Sequence, residues 1–125
     1  MTAAPLNRVV ARILRSPAHR LLSKSVCLIQ VTGVKSGNHY RLPVQYVETS
    51  AGLVVWPGHA QRKTWWRNLR QPAPITVWLR GERTDGQGAV VMPGDTGYAE
   101  AREAYCRRWR RVTVPDDEPL VRIAL

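Results

Sequence analysis

Six short runs of β-forming residues lie between residues 25 and 125, and turn formers such as Gly, Pro and Asn separate them. Short runs that alternate apolar and polar residues predict half-buried strands. The runs cover residues 25–32, 39–49, 53–56, 75–79, 83–92 and 120–125. Because most are joined as hairpins and helical segments interrupt the order, they predict an antiparallel barrel-like sheet within an α+β domain.

Two positions in these runs predict irregularities. Pro43 has no backbone N–H to donate to a neighbouring strand, so it predicts a sheet edge or a bulge. Gly86 and Gly88 lie in the return strand of the hairpin at 75–92 and predict a bulge there.

An amphipathic pattern opens the chain. Arg8, Arg12 and Arg15 recur at helical spacing against apolar residues, and with a short turn at 18–23 they predict a helix at about 5–23. The predicted role is to pack over the sheet. A basic helix of this kind also fits an anionic membrane surface, which stays open as an alternative.

Two more helices are predicted within the sheet region. Residues 63–70 predict a short helix with Thr64 near its N-cap. Residues 95–111 predict a longer helix, which places Tyr98 and Tyr105 on one face.

Length and composition limit the class of protein. A chain of 125 residues with 44% apolar residues and five Trp predicts one globular domain spanning residues 1–125. No apolar stretch approaches the roughly 20 residues that span a bilayer, and no signal-like segment is present. These features predict a cytoplasmic protein, with peripheral contact to the inner face of the membrane through the helix at 5–23 as the alternative.

The chain carries 19 Lys and Arg against 9 Asp and Glu, a formal net charge of +10. An excess of this size predicts an anionic partner. The basic residues fall into dispersed clusters without a nucleic-acid recognition motif, which disfavours nucleic acid. A non-catalytic basic domain for nucleic acid or anionic membrane remains an alternative, using Arg8, Arg12, Arg15 and the run at 107–111.

The two cysteines predict neither a disulfide framework nor a metal site. Cys27 and Cys106 have no metal-ligand spacing with the three His residues, so both are expected to act as small apolar residues. Cys106 lies among arginines that favour a thiolate, so a reactive thiol is its alternative role.

Two constellations predict an anion site. Residues 32–37 combine a glycine turn with Lys35 and Ser36, which suits a backbone nest for phosphate, although an ordinary hairpin turn explains the same residues. Residues 58–68 join a loop to a helix start, with Lys63 and Arg67 beside two Trp. A helix N-terminus and these cations suit an anion, while one indole packs on a planar ring and the other anchors the core.

No hydrolase pattern accompanies these clusters. The sequence has no G-x-S-x-G, and its acidic residues gather mainly at 116–118. Chemistry is therefore expected to come from a bound cofactor.

The motifs Thr-Gly-Val-Lys-Ser-Gly at 32–37, Arg-Leu-Pro at 41–43 and Lys-Thr-Trp-Trp-Arg-Asn-Leu at 63–69 together resemble the deazaflavin-dependent nitroreductase family. The resemblance covers roughly residues 26–91 and implies a split β-barrel. It also implies binding of coenzyme F420 (8-hydroxy-5-deazaflavin), whose reduced form delivers a hydride to quinones, nitroaromatics or other electron-poor acceptors. The same barrel holding FMN is the alternative within enzymes.

The resemblance also implies the binding residues. Those facing the anionic tail are Lys35, Ser36, Gly37 and Arg41, with Pro43 following. Those beside the ring system are Gly58, His59, Lys63, Thr64, Trp65, Arg67 and Asn68. Tyr98 and Tyr105 are the predicted donors on the substrate side. A homodimer that shares a cofactor groove is a further implication.

Overall fold

The computed structural model describes residues 25–60 and 63–125, and the predicted helix at 5–23 lies outside these ranges. The strands are β1 (Val26–Thr32), β2 (His39–Thr49), β3 (Gly52–Val55), β4 (Ala73–Leu79), β5 (Glu82–Val91) and β6 (Leu120–Ala124). One short 3-10 helix covers Trp65–Leu69, and α1 covers Tyr98–Arg108.

The six strands close into a barrel in the order β1-β2-β3-β6-β5-β4, with β4 pairing back to β1. Every pairing is antiparallel. The prediction of a six-stranded antiparallel barrel is therefore confirmed. Closure lets each strand pair on both sides, which removes most of the open edge that a flat sheet would expose.

Buried and more exposed residues alternate along the strands, and the buried side chains fill the barrel. In β2, Leu42, Val44 and Tyr46 are buried, whereas the residues between them are more exposed. The buried residues join Ile29, Val77 and others in one apolar cluster inside the barrel. The period-two pattern of the sequence thus becomes an inside and an outside face.

Helix α1 covers part of the outside face. Its Tyr98, Ala101 and Tyr105 pack with Val54 and Leu120 in a second apolar cluster. The helix is shorter than the predicted span at 95–111, because the backbone turns through Gly97 at φ 88° before it and Trp109 caps its end. Among the described residues, no helix is both long and apolar enough to cross a membrane.

The predicted bulges are wrong. β4 and β5 pair residue for residue through Gly86 and Gly88, and β5 and β6 pair without a break from Gln87 to Val91. Gly86 is needed for close approach, since a Cβ there would collide with the carbonyl oxygen of Ala124. Pro43 pairs in register with Leu28, and the pairing of β2 with β3 begins only at Tyr46. Within residues 25–60 and 63–125, Pro43 has no strand partner on the β3 side, which agrees with the edge position that was the other prediction.

Gly52 is the tightest point of the closure. A Cβ at this position would overlap the carbonyl oxygen of Ile123, and its φ of +132° disfavours other residues. We expect Gly52→Ala to lower the free energy of unfolding by about 3 kcal/mol or more, measured by urea denaturation. Gly37→Ala is the matched control, because Gly37 also has a positive φ but no atom within 4 Å of its Cβ position. Its expected cost is about 1 kcal/mol, and equal losses in the two variants would contradict the packing argument.

Candidate functional site

A groove of about 680 Å³ lies between the β1–β2 turn and the chain that leads from the 3-10 helix into β4. Residues 33–36 with Tyr40 form one wall, and residues drawn from 64–73 form the other. We call it the β1–β2 groove. The structure brings together here six of the predicted binding residues: Lys35, Ser36, Thr64, Trp65, Arg67 and Asn68.

Hydrogen bonds close the β1–β2 turn on itself. The Gly33 N–H donates to the Asn38 carbonyl at 2.8 Å, and the Gly37 N–H donates to the Gly33 carbonyl at 2.8 Å. The Val34 N–H donates to Asn68 Oδ1 at 3.0 Å, which ties the turn to the opposite wall. These three amides already have acceptors, which agrees with the ordinary hairpin turn that was the other interpretation and not with a backbone nest at these positions.

The predicted helix at 63–70 is a single 3-10 turn of five residues, Trp65–Leu69. Thr64 lies at its N-cap but makes no side-chain capping bond. A turn this short has too small a dipole to act as an anion site, so the side chains must supply the charge. Asn68 Nδ2 donates to the Trp65 carbonyl at 3.1 Å, a bond within one wall that holds the side chain whose Oδ1 accepts from Val34.

Both indoles of the Trp pair are buried. Trp65 is 2% exposed and Trp66 is 6% exposed, and both belong to the cluster inside the barrel. The prediction that only one of them anchors the core is therefore wrong, because the tighter 3-10 turn lets successive residues reach one core. Trp65 still contributes to the lining of the groove.

Of the described residues, three cations line the groove: Lys35, Arg67 and Arg70. The guanidinium groups of Arg67 and Arg70 lie 5.6 and 5.5 Å from the Trp66 ring centre, in the range of cation–π contacts. None of the three takes part in an ion pair found within residues 25–60 and 63–125. Their charge is thus available to an anionic ligand.

Trp66 is itself fixed, since its Nε1 donates to the Ala60 carbonyl at 3.0 Å. The indole therefore gives Arg67 and Arg70 a rigid support beside the groove. Arg70 was not among the predicted site residues.

Tyr40 is a second groove residue that sequence reasoning missed. Its half-buried ring packs against the cluster inside the barrel, and its hydroxyl lies 3.2 Å from Ser36 Oγ. The signal was present in the alternation of β2, which places Tyr40 on the same side as the buried Leu42 and Val44. Gly33 leaves room for this pair, because a Cβ there would lie 2.6 Å from Ser36 Oγ and 3.0 Å from the Tyr40 ring.

Arg41 lies outside the groove lining. Its Nε donates to Gln30 Oε1 at 2.6 Å, and its guanidinium lies 5.3 Å from the Trp78 ring centre. Adjacent residues of a strand point to opposite faces, so Tyr40 and Arg41 separate. Pro43, two residues further along β2, shares the outward side with Arg41.

The loop before the 3-10 helix holds three more predicted residues, and none of them lines the groove. Lys63 donates its backbone N–H to the His59 carbonyl at 3.1 Å, and Gly58 is buried with a positive φ of 69°. His59 and Lys63 are exposed. Gly37, at the end of the β1–β2 turn, is exposed and also outside the lining.

The predicted substrate-side donors, Tyr98 and Tyr105, lie on α1 and not in the groove lining. The Tyr98 hydroxyl donates to the Glu118 carbonyl, and the Tyr105 hydroxyl donates to Gln45 Oε1 at 3.3 Å. Burial raises the pKa of both phenols, that of Tyr105 to about 12. Both hydroxyls therefore stay protonated at neutral pH, and their role towards a substrate stays a prediction.

The other features bear less on a site. Burial raises the pKa of Cys27 to about 12, which keeps its thiol protonated. A concave surface along α1 is lined by Cys106 and by charges of both signs, including Arg102, Glu103 and Asp116. Within the described ranges, no group of three or more His, Cys, Asp or Glu is placed to hold a metal ion.

Comparison with protein-family models and with curated proteins finds no match for this sequence. Solved structures do match. HutZ, the heme storage protein from Vibrio cholerae, is 13% identical with a TM-score of 0.61, covering 88% of this chain and 89% of HutZ. The F420-H2 dependent reductase FDR-A is 16% identical with a TM-score of 0.55, covering 82% of this chain and 96% of the reductase.

A protein described as a domain-swapped dimer is 16% identical with a TM-score of 0.58, covering 93% of this chain and 91% of that one. These neighbours are split-barrel proteins. Similarity at this level of identity shows a shared split-barrel fold. It does not show a shared function, because unrelated functions occur on one fold.

The Asn68 side chain is expected to hold the two walls of the groove together. Asn68→Ala removes the acceptor of the Val34 N–H and should lower the free energy of unfolding by about 1 to 2 kcal/mol. Hydrogen exchange of the Val34 amide should accelerate more than that of amides in β1. Asn38→Ala is the control, since only the backbone atoms of Asn38 bond within the turn. Unchanged Val34 exchange in Asn68→Ala would contradict this role.

Burial of Tyr105 predicts a loss of stability at alkaline pH. Its pKa is about 12 in the folded protein against an ordinary 10.0. Between these values the unfolded chain releases a proton that the folded chain keeps, so the free energy of unfolding falls as pH rises. Cys27 and the other buried phenols act in the same direction. Tyr105→Phe should show a shallower fall than wild type in urea denaturation over this range, and equal slopes would refute the assignment.

Proposed function

We propose that this protein is an oxidoreductase that binds coenzyme F420 in the β1–β2 groove and passes a hydride from the reduced deazaflavin to an electron-poor small molecule. Quinones and nitroaromatics are the proposed acceptors. The observation that carries the proposal is the groove itself. It joins residues of the two motifs, at 32–37 and 63–69, that resemble the deazaflavin-dependent nitroreductases.

The residues of the groove fit such a coenzyme. Its tail combines a phosphodiester with glutamates, and Lys35, Arg67 and Arg70 supply cations that have no ion pair among the described residues. Val34 and Pro72, which are exposed in the lining, give the groove an apolar surface against which a flat heterocycle packs. The volume of about 680 Å³ lies within the range of about 300 to 1,000 Å³ usual for small-molecule pockets.

The bound coenzyme would supply the hydride. The chain's part is to bind and orient. Lys35, Arg67 and Arg70 hold anionic oxygens, and Trp66 fixes the two guanidinium groups. Asn68 sets the distance between the walls. Holding two planar molecules in a fixed arrangement accounts for much of what a hydride transfer needs from the protein.

The split-barrel fold shared with the F420-H2 dependent reductase is compatible with this function. In the proposal, Gly37, Arg41, Pro43, Gly58, His59 and Lys63 act around the groove, where a ligand extends beyond its lining. A homodimer belongs to the proposal too, and a neighbour described as a domain-swapped dimer is compatible with it. The cytoplasmic location and the membrane contact of residues 5–23 remain predictions from the sequence.

The test is a side-by-side titration of the purified protein with coenzyme F420 and with FMN, followed by tryptophan quenching and calorimetry. We expect saturable binding of F420 at micromolar concentrations and weaker binding of FMN. Tighter binding of FMN would favour the flavin alternative. Binding of neither, with salt-sensitive binding to mixed DNA or anionic vesicles, would favour the basic-domain alternative through the exposed Arg107, Arg108, Arg110 and Arg111.

Removal of single groove cations should weaken F420 binding. Lys35→Ala and Arg67→Ala should each cost about 1 to 3 kcal/mol, because each removes a charge-assisted hydrogen bond to the tail. Arg83→Ala is the control, since Arg83 also lies over an indole, at 5.9 Å from Trp78, but not in the groove. Arg41→Ala tests its predicted role, and unchanged affinity would remove Arg41 from the site. Equal affinity of wild type and a Lys35/Arg67 double variant would refute the groove as the tail site.

A further inference from the structure

The hydroxyl groups of Ser36 and Tyr40 form a pair on one wall of the groove. Ser36 Oγ accepts the Asn38 N–H at 3.1 Å and lies 3.2 Å from the Tyr40 hydroxyl. Each hydroxyl carries one proton, and the bond between them uses one of the two. The second proton has no protein acceptor among the described residues. The pair therefore presents one unused donor beside the lining of the groove.

The cations of the groove indicate what this donor meets. Lys35 is next to Ser36 in the chain, and Arg67 and Arg70 line the same groove. These charges attract anionic oxygens, which are stronger acceptors than the Ser36 hydroxyl. A phenol is a stronger donor than an alkyl hydroxyl, so the Tyr40 proton goes to the anionic oxygen. Ser36 then donates its own proton to the Tyr40 oxygen, and a chain from Ser36 through Tyr40 to the ligand results.

We propose that Tyr40 is a ligand-binding residue of the groove, and that its phenol O–H donates to an anionic oxygen of the bound molecule while Ser36 positions it. This inference rests on the proposed function and adds a residue to it. The ring of Tyr40 is held by the barrel core and Gly33 leaves space for its edge, so the hydroxyl is placed before a ligand arrives. The phosphate and carboxylate groups of the F420 tail are the acceptors it fits.

Tyr40→Phe keeps the packed ring and removes only the hydroxyl. We expect this variant to bind coenzyme F420 about tenfold more weakly, measured by calorimetry. Its affinity for the deazaflavin chromophore without the tail should match that of wild type. Tyr46→Phe is the control, because Tyr46 lies on the same inward side of β2 but outside the groove, and its affinity for F420 should be unchanged. Thermal unfolding of both variants checks that the fold is intact.

Ser36→Ala separates positioning from direct contact. We expect a smaller loss than in Tyr40→Phe, and no further loss when Ser36→Ala is added to Tyr40→Phe, since Ser36 acts through Tyr40. Losses that add in the double variant would overturn the chain. Equal F420 affinity in wild type and Tyr40→Phe would overturn the inference and leave the proposed function standing. An equal loss of affinity in Tyr40→Phe for F420 and for the tail-less chromophore would do the same.

Failure of wild type to bind F420 would overturn the proposed function alone. The role of Tyr40 is then tested with inorganic pyrophosphate, followed by NMR shifts of the backbone amides at 34–40. Saturable shifts in wild type that weaken in Tyr40→Phe would support the donor. Equal shifts in both proteins, or none in wild type, would overturn it.

Discussion

Barrel closure is the constraint on which the arrangement of this molecule depends. Once β4 pairs back to β1, every strand has an inside and an outside, and adjacent residues cannot share a side. Tyr40 and Arg41 show the consequence. One lines the β1–β2 groove, and the other is held against Gln30 and Trp78. A shift of one residue in the register of β2 would exchange the two and replace a neutral hydroxyl in the groove with a guanidinium.

In the turn between β1 and β2, the backbone amides contribute to stability and the side chains contribute to binding. Its amides at Gly33, Val34 and Gly37 donate hydrogen bonds within the protein. They therefore stiffen the turn and are not available to bind a phosphate. A rigid turn still serves binding, because it fixes where Lys35 and Ser36 stand. Recognition of an anion then falls to side chains, whose charge is larger than the partial charge of an amide and whose reach adapts to the ligand.

Local patterns predicted the strands well because alternation and turn residues are read from neighbouring positions. The span at 39–49 appears unchanged as β2. Irregularities were harder to predict. Gly86 allows the close approach of Ala124, which lies nearly forty positions away, and no residue near Gly86 in the sequence indicates that contact. The site was predicted in part for the same reason. Motifs indicated Lys35 and Trp65, but the link from Val34 to Asn68 and the place of Arg70 depend on how distant segments meet.

Trp66 connects the core to the charge of the groove. Its indole is 6% exposed and bonded to the Ala60 carbonyl, so it is held as firmly as the barrel interior. Arg67 and Arg70 rest on that ring, and a cation on an indole keeps its charge while it loses little freedom on binding. Part of the entropy cost of ordering two long side chains is thus met by folding. An anion that enters the groove meets guanidinium groups that already rest beside it, which lowers the cost of arranging them.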